Sequence, residues 1–255
     1  MFKDYFSKQS TNYATYRPYY PCELFEILAA KSPARELAWD CGTGNGQAAL
    51  GLAELFDRVL ATDASQSQIE NAKRSEGSEK AKRIEYRVAK AESSPLESET
   101  VDLITVAQAL HWFEIDTFFA EARRVLKPEG IIAVWCYTLV EISVEIDAVI
   151  NSFYFDTVGN YWPAERGMVE DGYKSINFPF LTLDLPTIYM KAEWNLEQLL
   201  GYIRTWSAVG NYINDRGNDP VLQLQHQLEL LWGEGLCQVR WPLHMRVGRK
   251  TSSRL

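Results

Sequence analysis

From Glu36 onward, short apolar runs alternate with helical patterns, and this alternation constrains the fold more than any other feature of the chain. Glu36–Cys41, Arg58–Thr62 (closed by Asp63), Arg83–Ala89, Val101–Leu110 and Ile131–Tyr137 read as strands. Between them, Gly46–Phe56, Ser65–Arg74 with a serine cap, and Ile115–Leu126 carry the apolar spacing of helices. Parallel neighbours need crossover connections, so the pattern predicts a mostly parallel, doubly wound α/β sheet with helices on its faces. The near-continuous apolar run "VDLITVAQAL" predicts a strand covered on both sides. "KPEG", Lys127–Gly130, is a stop-and-turn signal ahead of the fifth strand.

After Tyr137 the alternation fails. Residues of about 140–190 are irregular and rich in Phe153, Tyr154, Phe155, Tyr161, Trp162, Tyr173, Phe178 and Phe180. "TIYMKAEW" then predicts a strand, Leu196–Val209 and Pro220–Trp232 predict helices, and "QVRWPLHMRVG" predicts a final strand. With these the sheet has seven strands, and residues 140–185 read as an inserted cap because the last strands must return to complete the sheet.

Charge and cysteine usage exclude several function classes. A net charge of −8 disfavours a nucleic-acid-backbone binder, and the basic runs Lys80–Arg83 and Arg246, Arg249, Lys250, Arg254 read as solvated surface. Cys22, Cys41, Cys136 and Cys237 form no C-x-x-C pair, and no histidines stand at zinc-finger spacing, so neither a metal nor a disulfide framework is expected. The start holds no apolar signal core, and no window approaches the ~20 apolar residues of a membrane span. A cytoplasmic setting without a membrane partner is the expectation.

"LAWDCGTGNGQAAL" puts a glycine-rich turn at the end of the first strand. In doubly wound sheets ligands sit beyond the carboxyl ends of the strands, which here carry Asp40–Gly46, Asp63, Ala91–Glu92 and Gln108–Trp112. The spacing departs from G-x-G-x-x-G, because Gln47 stands where the dinucleotide fingerprint wants its last glycine. Asp40 would place negative charge beside phosphates and suits a positively charged ligand instead. Asp63 is positioned to accept both hydroxyls of a ribose. Each piece has a plainer reading, in which Gly44 and Gly46 serve only a turn and Asp63 caps a helix. Together they favour a cationic, ribose-bearing cofactor. A nicotinamide-dependent oxidoreductase with an unusual turn remains an alternative. A cofactor-binding protein without turnover is a further one.

"LAWDCGTGNG", "ATDAS", "KAESSPL", "VDLITVAQALHWF" and "EARRVLKPEGIIAVW" resemble the class I S-adenosylmethionine-dependent methyltransferases over residues 35–137. "YRPYYP", "AQALHWF", "RTWSAV" and "VRWPLHMRVGRK" are similar to the trans-aconitate methyltransferase group. The resemblance implies a Rossmann-like methyltransferase sheet and S-adenosyl-L-methionine as cofactor. It implies that Gly42, Gly44 and Gly46 let backbone approach the methionine portion and that Asp40 meets its amino group. Asp63 would then bind the ribose, with Ala64 beside the adenine, Ala91 and Glu92 in the adenine-side turn, and Gln108 and Ala109 near the transferable methyl. Lys90 stands where many relatives carry an acidic residue. The implied organisation is an N-terminal helical segment (1–34) closing over the cofactor, a cofactor-binding core (35–139), an acceptor-side cap (140–185) and a C-terminal part (186–255).

Methyl transfer is an in-line displacement in which the cofactor brings the leaving group, so the protein chiefly positions the acceptor and excludes water. A base is needed only for an acceptor protonated at working pH; a carboxylate needs none. His111 is the candidate base, with the competing reading that it orders the following helix or stacks on Trp112, itself a pocket wall. Tyr13, Tyr16, Arg17 and Tyr20 form a candidate N-terminal substrate segment, and Arg166, Arg204, Trp206 and Tyr212 are candidate acceptor-side groups. Arg204 or Arg17 would anchor an acidic acceptor. The expected activity is methylation of a small molecule, on a carboxylate oxygen of an organic acid.

Overall fold

Val101-Asp-Leu-Ile-Thr-Val-Ala107 is almost wholly apolar and β-branched, and it forms the central strand β4, buried nearly throughout. The computed structural model describes residues 18–74 and 79–251. In chain order these are α1 (Cys22–Lys31), β1 (Leu37–Cys41), α2 (Gln47–Ala53), β2 (Arg58–Asp63), α3 (Gln66–Arg74) and β3 (Ile84–Val88). There follow β4 (Val101–Ala107), α4 (Ile115–Val125), β5 (Leu126–Tyr137), α5 (Val144–Ser152), α6 (Arg166–Glu170) and β6 (Leu181–Thr182). The chain ends with β7 (Tyr189–Trp194), α7 (Leu196–Arg204), α8 (Ser207–Arg216), α9 (Val221–Trp232) and β8 (Cys237–Arg249).

The strands run in the order β3-β2-β1-β4-β5-β8-β6, and β7 pairs with β8 off this path. The five from β1 to β5 are mutually parallel, whereas β8 runs antiparallel to β5, β6 and β7. The sheet thus holds eight strands rather than seven. The difference is the two-residue β6, too short to leave an alternating signature in sequence; it pairs with Arg249 and Gly248 near the end of β8. The strand order reverses between β1 and β4, where this architecture opens a crevice. Register aligns Asp40 with Thr105 and Ala61, and Asp63 with Val88, so the carboxyl ends of β1 to β4 form one rim.

Alternation along β5 divides the core into two layers. Ile131, Ala133 and Trp135 face one layer with α1, α2 and the C-terminal helices, while Ile132, Val134 and Cys136 face the other with α4 and Phe178. The "KPEG" signal lies inside β5 as a bulge, with Glu129 at φ 64 and a register shift opposite Val101 and Leu103. The buried Asp102 ties the starts of β4 and β1 together, accepting the amides of Glu36 and Leu37 at 3.0 Å each.

The stretch expected to be irregular contains α5, whose Ile146 and Ile150 recur at i and i+4 and whose Ser143 accepts the Ile146 amide as N-cap. It continues into a π-helical turn, Phe153–Thr157. The helix expected over Leu196–Val209 is two helices, α7 and α8, separated by Thr205 and Trp206. Thr205 donates its hydroxyl to the Tyr202 carbonyl at 2.6 Å, and Trp206 turns to an extended backbone. Among the described residues no helix is long and apolar enough to cross a membrane.

Candidate active site

The glycine loop is held by backbone hydrogen bonds before any ligand arrives. The amides of Gly42 and Thr43 both donate to the Thr62 carbonyl, at 2.8 and 2.9 Å. Asp63 accepts the Gly44 amide through Oδ2 (3.0 Å) and the Ser65 amide through Oδ1 (2.8 Å), so it ties the loop to the start of α3. The three glycines do different work. All have positive φ, but a Cβ on Gly42 would lie 2.7 Å from that of Ala109, and one on Gly46 would lie 2.7 Å from the Tyr86 hydroxyl. A Cβ on Gly44 would meet nothing within 4 Å and would project into open space.

Asp40 is fully buried at the end of β1. Its Oδ2 accepts the Thr43 hydroxyl at 2.6 Å and its Oδ1 accepts the Thr105 hydroxyl at 2.8 Å. Burial outweighs these bonds and pushes its pKa up to about 6, with the nearby Asp63 adding to the rise. Both oxygens are already engaged, so Asp40 acts on the loop through its charge and through Thr43. The Cys41 thiol is likewise pushed up, first by burial and then by Asp40, Asp63 and Glu92. Three carboxylates therefore converge on this rim, a field that suits a cation and repels a pyrophosphate.

The remaining cofactor-side candidates surround the same rim. Ala64 is exposed beside Asp63, and Ala91 is buried. Glu92 accepts the Glu114 amide at 2.9 Å, which joins the turn after β3 to the start of α4. Lys90 points to solvent. Gln108 stands at φ 55 and bridges two strands: its side-chain Nε2 donates to the Tyr137 carbonyl (3.3 Å) and its Oε1 accepts the Tyr137 backbone amide (2.9 Å). Ala109 is buried against the Gly42 turn.

Beyond Gln108 lies a cleft whose walls include His111, Trp112, Trp162, Arg166, Thr205 and Trp206. Trp206 sits in an aromatic wall with Trp162 (5.8 Å) and Tyr154 (5.6 Å). Arg166 enters this wall as a positioned cation. Its Nε donates to the Tyr154 hydroxyl at 2.9 Å, that hydroxyl donates on to Glu170, and the guanidinium lies 4.7 Å from the Trp162 ring centre. His111 is 7 % exposed, packed 4.7 Å from Trp112 with the ring planes tilted by 47°, and its Nδ1 lies 2.9 Å from the Tyr173 hydroxyl. Burial, reinforced by Arg166, lowers its pKa to about 3, so the imidazole is neutral at working pH.

Not every sequence candidate reaches the cleft. Arg204, expected as an anchor for the acceptor, is paired with Asp219 at 3.0 Å on the surface and is not among the residues that line this cleft. Tyr212 packs 5.0 Å from Tyr161 instead. Tyr20 packs edge-on against Trp135 (5.4 Å). Tyr13, Tyr16 and Arg17 lie outside the described residues. Sequence reasoning missed Tyr173 as a partner of His111, because no sequence pattern joins the two; the structure places Tyr173 at φ 62 directly after Gly172 at φ 67.

A family model described as a methyltransferase domain matches residues 39–134. A protein of Dictyostelium discoideum named as a methyltransferase is 34% identical, covering 98% of this chain and 96% of its own length. A Saccharomyces cerevisiae protein named as an S-adenosylmethionine-dependent methyltransferase is 24% identical over 83% of each chain. A solved structure from Anaeromyxobacter dehalogenans, titled as a type II methyltransferase, superposes with a TM-score of 0.85 at 41% identity, covering 92% of this chain and 98% of that one.

Proposed function

Because the chain belongs to the methyltransferase family and uses S-adenosylmethionine as methyl donor, we propose that it methylates a carboxylate oxygen of a small organic acid, as a member of the trans-aconitate methyltransferase-like group. The family assignment sets aside the nicotinamide reading, to which the converging carboxylates are also hostile.

The residues present fit the cofactor. Gly44 leaves open space at the loop, and Asp40, Asp63 and Glu92 supply the negative field a sulfonium and an ammonium require. In this reading Gly42, Gly44 and Gly46 receive the methionine portion, Asp40 balances its amino group, and Asp63 takes the ribose hydroxyls. Ala64, Ala91 and Glu92 bound the adenine, while Gln108 and Ala109 border the cleft. When bound, the cofactor supplies an electrophilic methyl group with a neutral thioether as leaving group. The chain's own residues orient the acceptor in front of it and keep water out.

The observation that carries the acceptor class is Arg166, a charged side chain in an otherwise neutral or aromatic cleft wall. It makes no ion pair among the described residues. Tyr154 occupies its Nε and leaves both terminal nitrogens to meet a carboxylate in bidentate fashion. The test is transfer of a tritiated methyl group to a panel of organic acids, their amides and simple amines. Labelled methyl esters are expected from acids alone. Arg166→Gln should raise the acceptor KM by about 10- to 100-fold with the cofactor KM unchanged, since a charge-assisted hydrogen bond to a carboxylate contributes about 1.5–3 kcal/mol. Transfer only to uncharged acceptors would refute the reading.

A further inference from the structure

His111 is buried at the cleft wall, in the 3₁₀ turn Leu110–Trp112 that follows β4. One edge of its ring, Nδ1, meets the Tyr173 hydroxyl at 2.9 Å. Tyr173 is fully buried and does not line the cleft, whereas His111 does, and its Nε2 has no hydrogen-bond partner among the described residues and is not one of the buried unpartnered atoms.

The proton on this contact can be assigned. The phenol keeps its proton, because burial pushes its pKa well above the ordinary tyrosine value. If Nδ1 carried a hydrogen and donated it, the buried O–H of Tyr173 would lack an acceptor, and no side chain other than His111 hydrogen-bonds to it. A buried unsatisfied donor costs roughly 1–3 kcal/mol. The hydroxyl therefore donates to Nδ1, and the ring proton sits on Nε2.

The chain strains its backbone to hold this arrangement. Tyr173 has φ 62 immediately after Gly172 at φ 67, and a Cβ on Gly172 would come within 3.1 Å of His244. The Tyr173 carbonyl is fixed in turn by Arg246, whose Nη1 donates to it at 2.8 Å. The titratable or charged groups facing His111 are Arg166 on α6 and Tyr173 after it, with Cys136 of β5 beside the phenol. None supplies negative charge to hold an imidazolium.

We propose that His111 is a permanently neutral hydrogen-bond donor, presenting Nε2–H to the acceptor oxygen, and that Tyr173 is the positioning residue that locks this tautomer. Together with Arg166 it selects an acceptor rich in hydrogen-bond-accepting oxygens. The acceptor class rests on the carboxylate reading above; the tautomer does not.

The experiment is long-range ¹H–¹⁵N correlation of the full chain labelled with [¹⁵N]histidine. With histidines only at 111, 226 and 244, His111→Gln identifies the signal. The expected result is an Nε2–H pattern that does not titrate between about pH 5 and 8. An Nδ1–H pattern, or a midpoint inside that range, would overturn the proposal. Tyr173→Phe, verified as folded by circular dichroism, should admit the second tautomer; an unchanged pattern removes the role of Tyr173. If that variant does not fold, the wild-type spectrum still decides the tautomer. In turnover with an acid acceptor, His111→Gln keeps a donor near Nε2 and should lose less than about tenfold in kcat, while His111→Leu loses on the order of 100-fold. Equal losses from both overturn the donor role. Absence of acid methylation alongside the expected spectrum would sink the acceptor class and leave the tautomer standing.

Discussion

Asp40→Asn is expected to stabilise the ligand-free protein while impairing cofactor binding. The folded carboxyl has its pKa raised from 3.8 to about 6, with burial as the largest cause. A shift of that size corresponds to about 3 kcal/mol of differential stability. The sign follows from the direction. A raised folded pKa favours folding fully below the unfolded value of 3.8, and the contribution is lost as pH rises through about 6. At pH 7 the native state therefore carries a buried, unpaired negative charge. Asparagine removes the charge and keeps the shape, although one hydroxyl, of Thr43 or Thr105, must turn from donor to acceptor. That rearrangement leaves a net gain of about 1–2 kcal/mol out of the ~3 available.

The measurement is urea unfolding of wild type and Asp40→Asn at pH 7 and pH 5, with calorimetric titration of S-adenosylhomocysteine. The wild type should gain stability from this group as pH falls from 7 to 5, whereas the variant should show no such contribution. Affinity should fall at least tenfold in the variant at pH 7. Below about pH 6 the wild-type affinity should decline as the carboxyl protonates, and the variant's should not. A variant less stable than wild type at pH 7, with unaltered affinity, would mean that Asp40 is a structural hydrogen-bond acceptor and not an electrostatic partner of the ligand.

Other residues give sharper contrasts. Gly46→Ala forces a Cβ to 2.7 Å from the Tyr86 hydroxyl at φ 84, so it should destabilise the fold by about 2 kcal/mol or more in denaturant unfolding. Gly44→Ala meets no atom and should cost only about 1 kcal/mol of backbone strain, yet calorimetry should show cofactor affinity falling severalfold or more. Asp102→Ala orphans the Glu36 and Leu37 amides and removes the buried one of two carboxylate partners of Lys127, whose ammonium lies 2.9 Å from Asp102 Oδ1 and 2.6 Å from Glu36. The expected cost is about 3 kcal/mol in the same unfolding assay. Arg204→Ala breaks a partly exposed ion pair and should cost no more than about 1 kcal/mol, with the acceptor KM unchanged.

The parallel half of the sheet was legible because its signal is local. Strand ends at Cys41, Asp63, Val88 and Ala107 fall within a few residues of where apolar runs stop, and backbone register then brings Asp40 beside Thr105 without further information. The acceptor side was not legible, because its geometry depends on long-range placement of aromatic side chains. Arg166 and Arg204 look alike in sequence; only the fold reveals that Asp219 neutralises one and that Tyr154 and Trp162 orient the other. Likewise no spacing rule joins His111 to a tyrosine 62 residues later. The break between α7 and α8 was hidden for the opposite reason: helical propensity runs through Thr205 and Trp206, and a side-chain bond to Tyr202 together with the aromatic wall overrides it.

The two sides of Gln108 carry opposite fields, and this bears on why no base is in view. Carboxylates gather at the glycine loop, and a guanidinium with a neutral histidine stands across the cleft. On the proposed reading these fields hold a cationic donor and an anionic acceptor on a common line. Attack of an anion on a cation disperses both charges as the transition state forms, so water, which stabilises the separated ions most, retards it. An aromatic wall of Tyr154, Trp162 and Trp206 is suited to excluding that water. An imidazole held neutral and directional adds orientation without withdrawing charge from the attacking oxygen as an imidazolium would. A histidine poised near neutrality would serve an acceptor that must lose a proton. The burial of His111 against Tyr173 and Arg166 fits an acceptor that arrives already deprotonated.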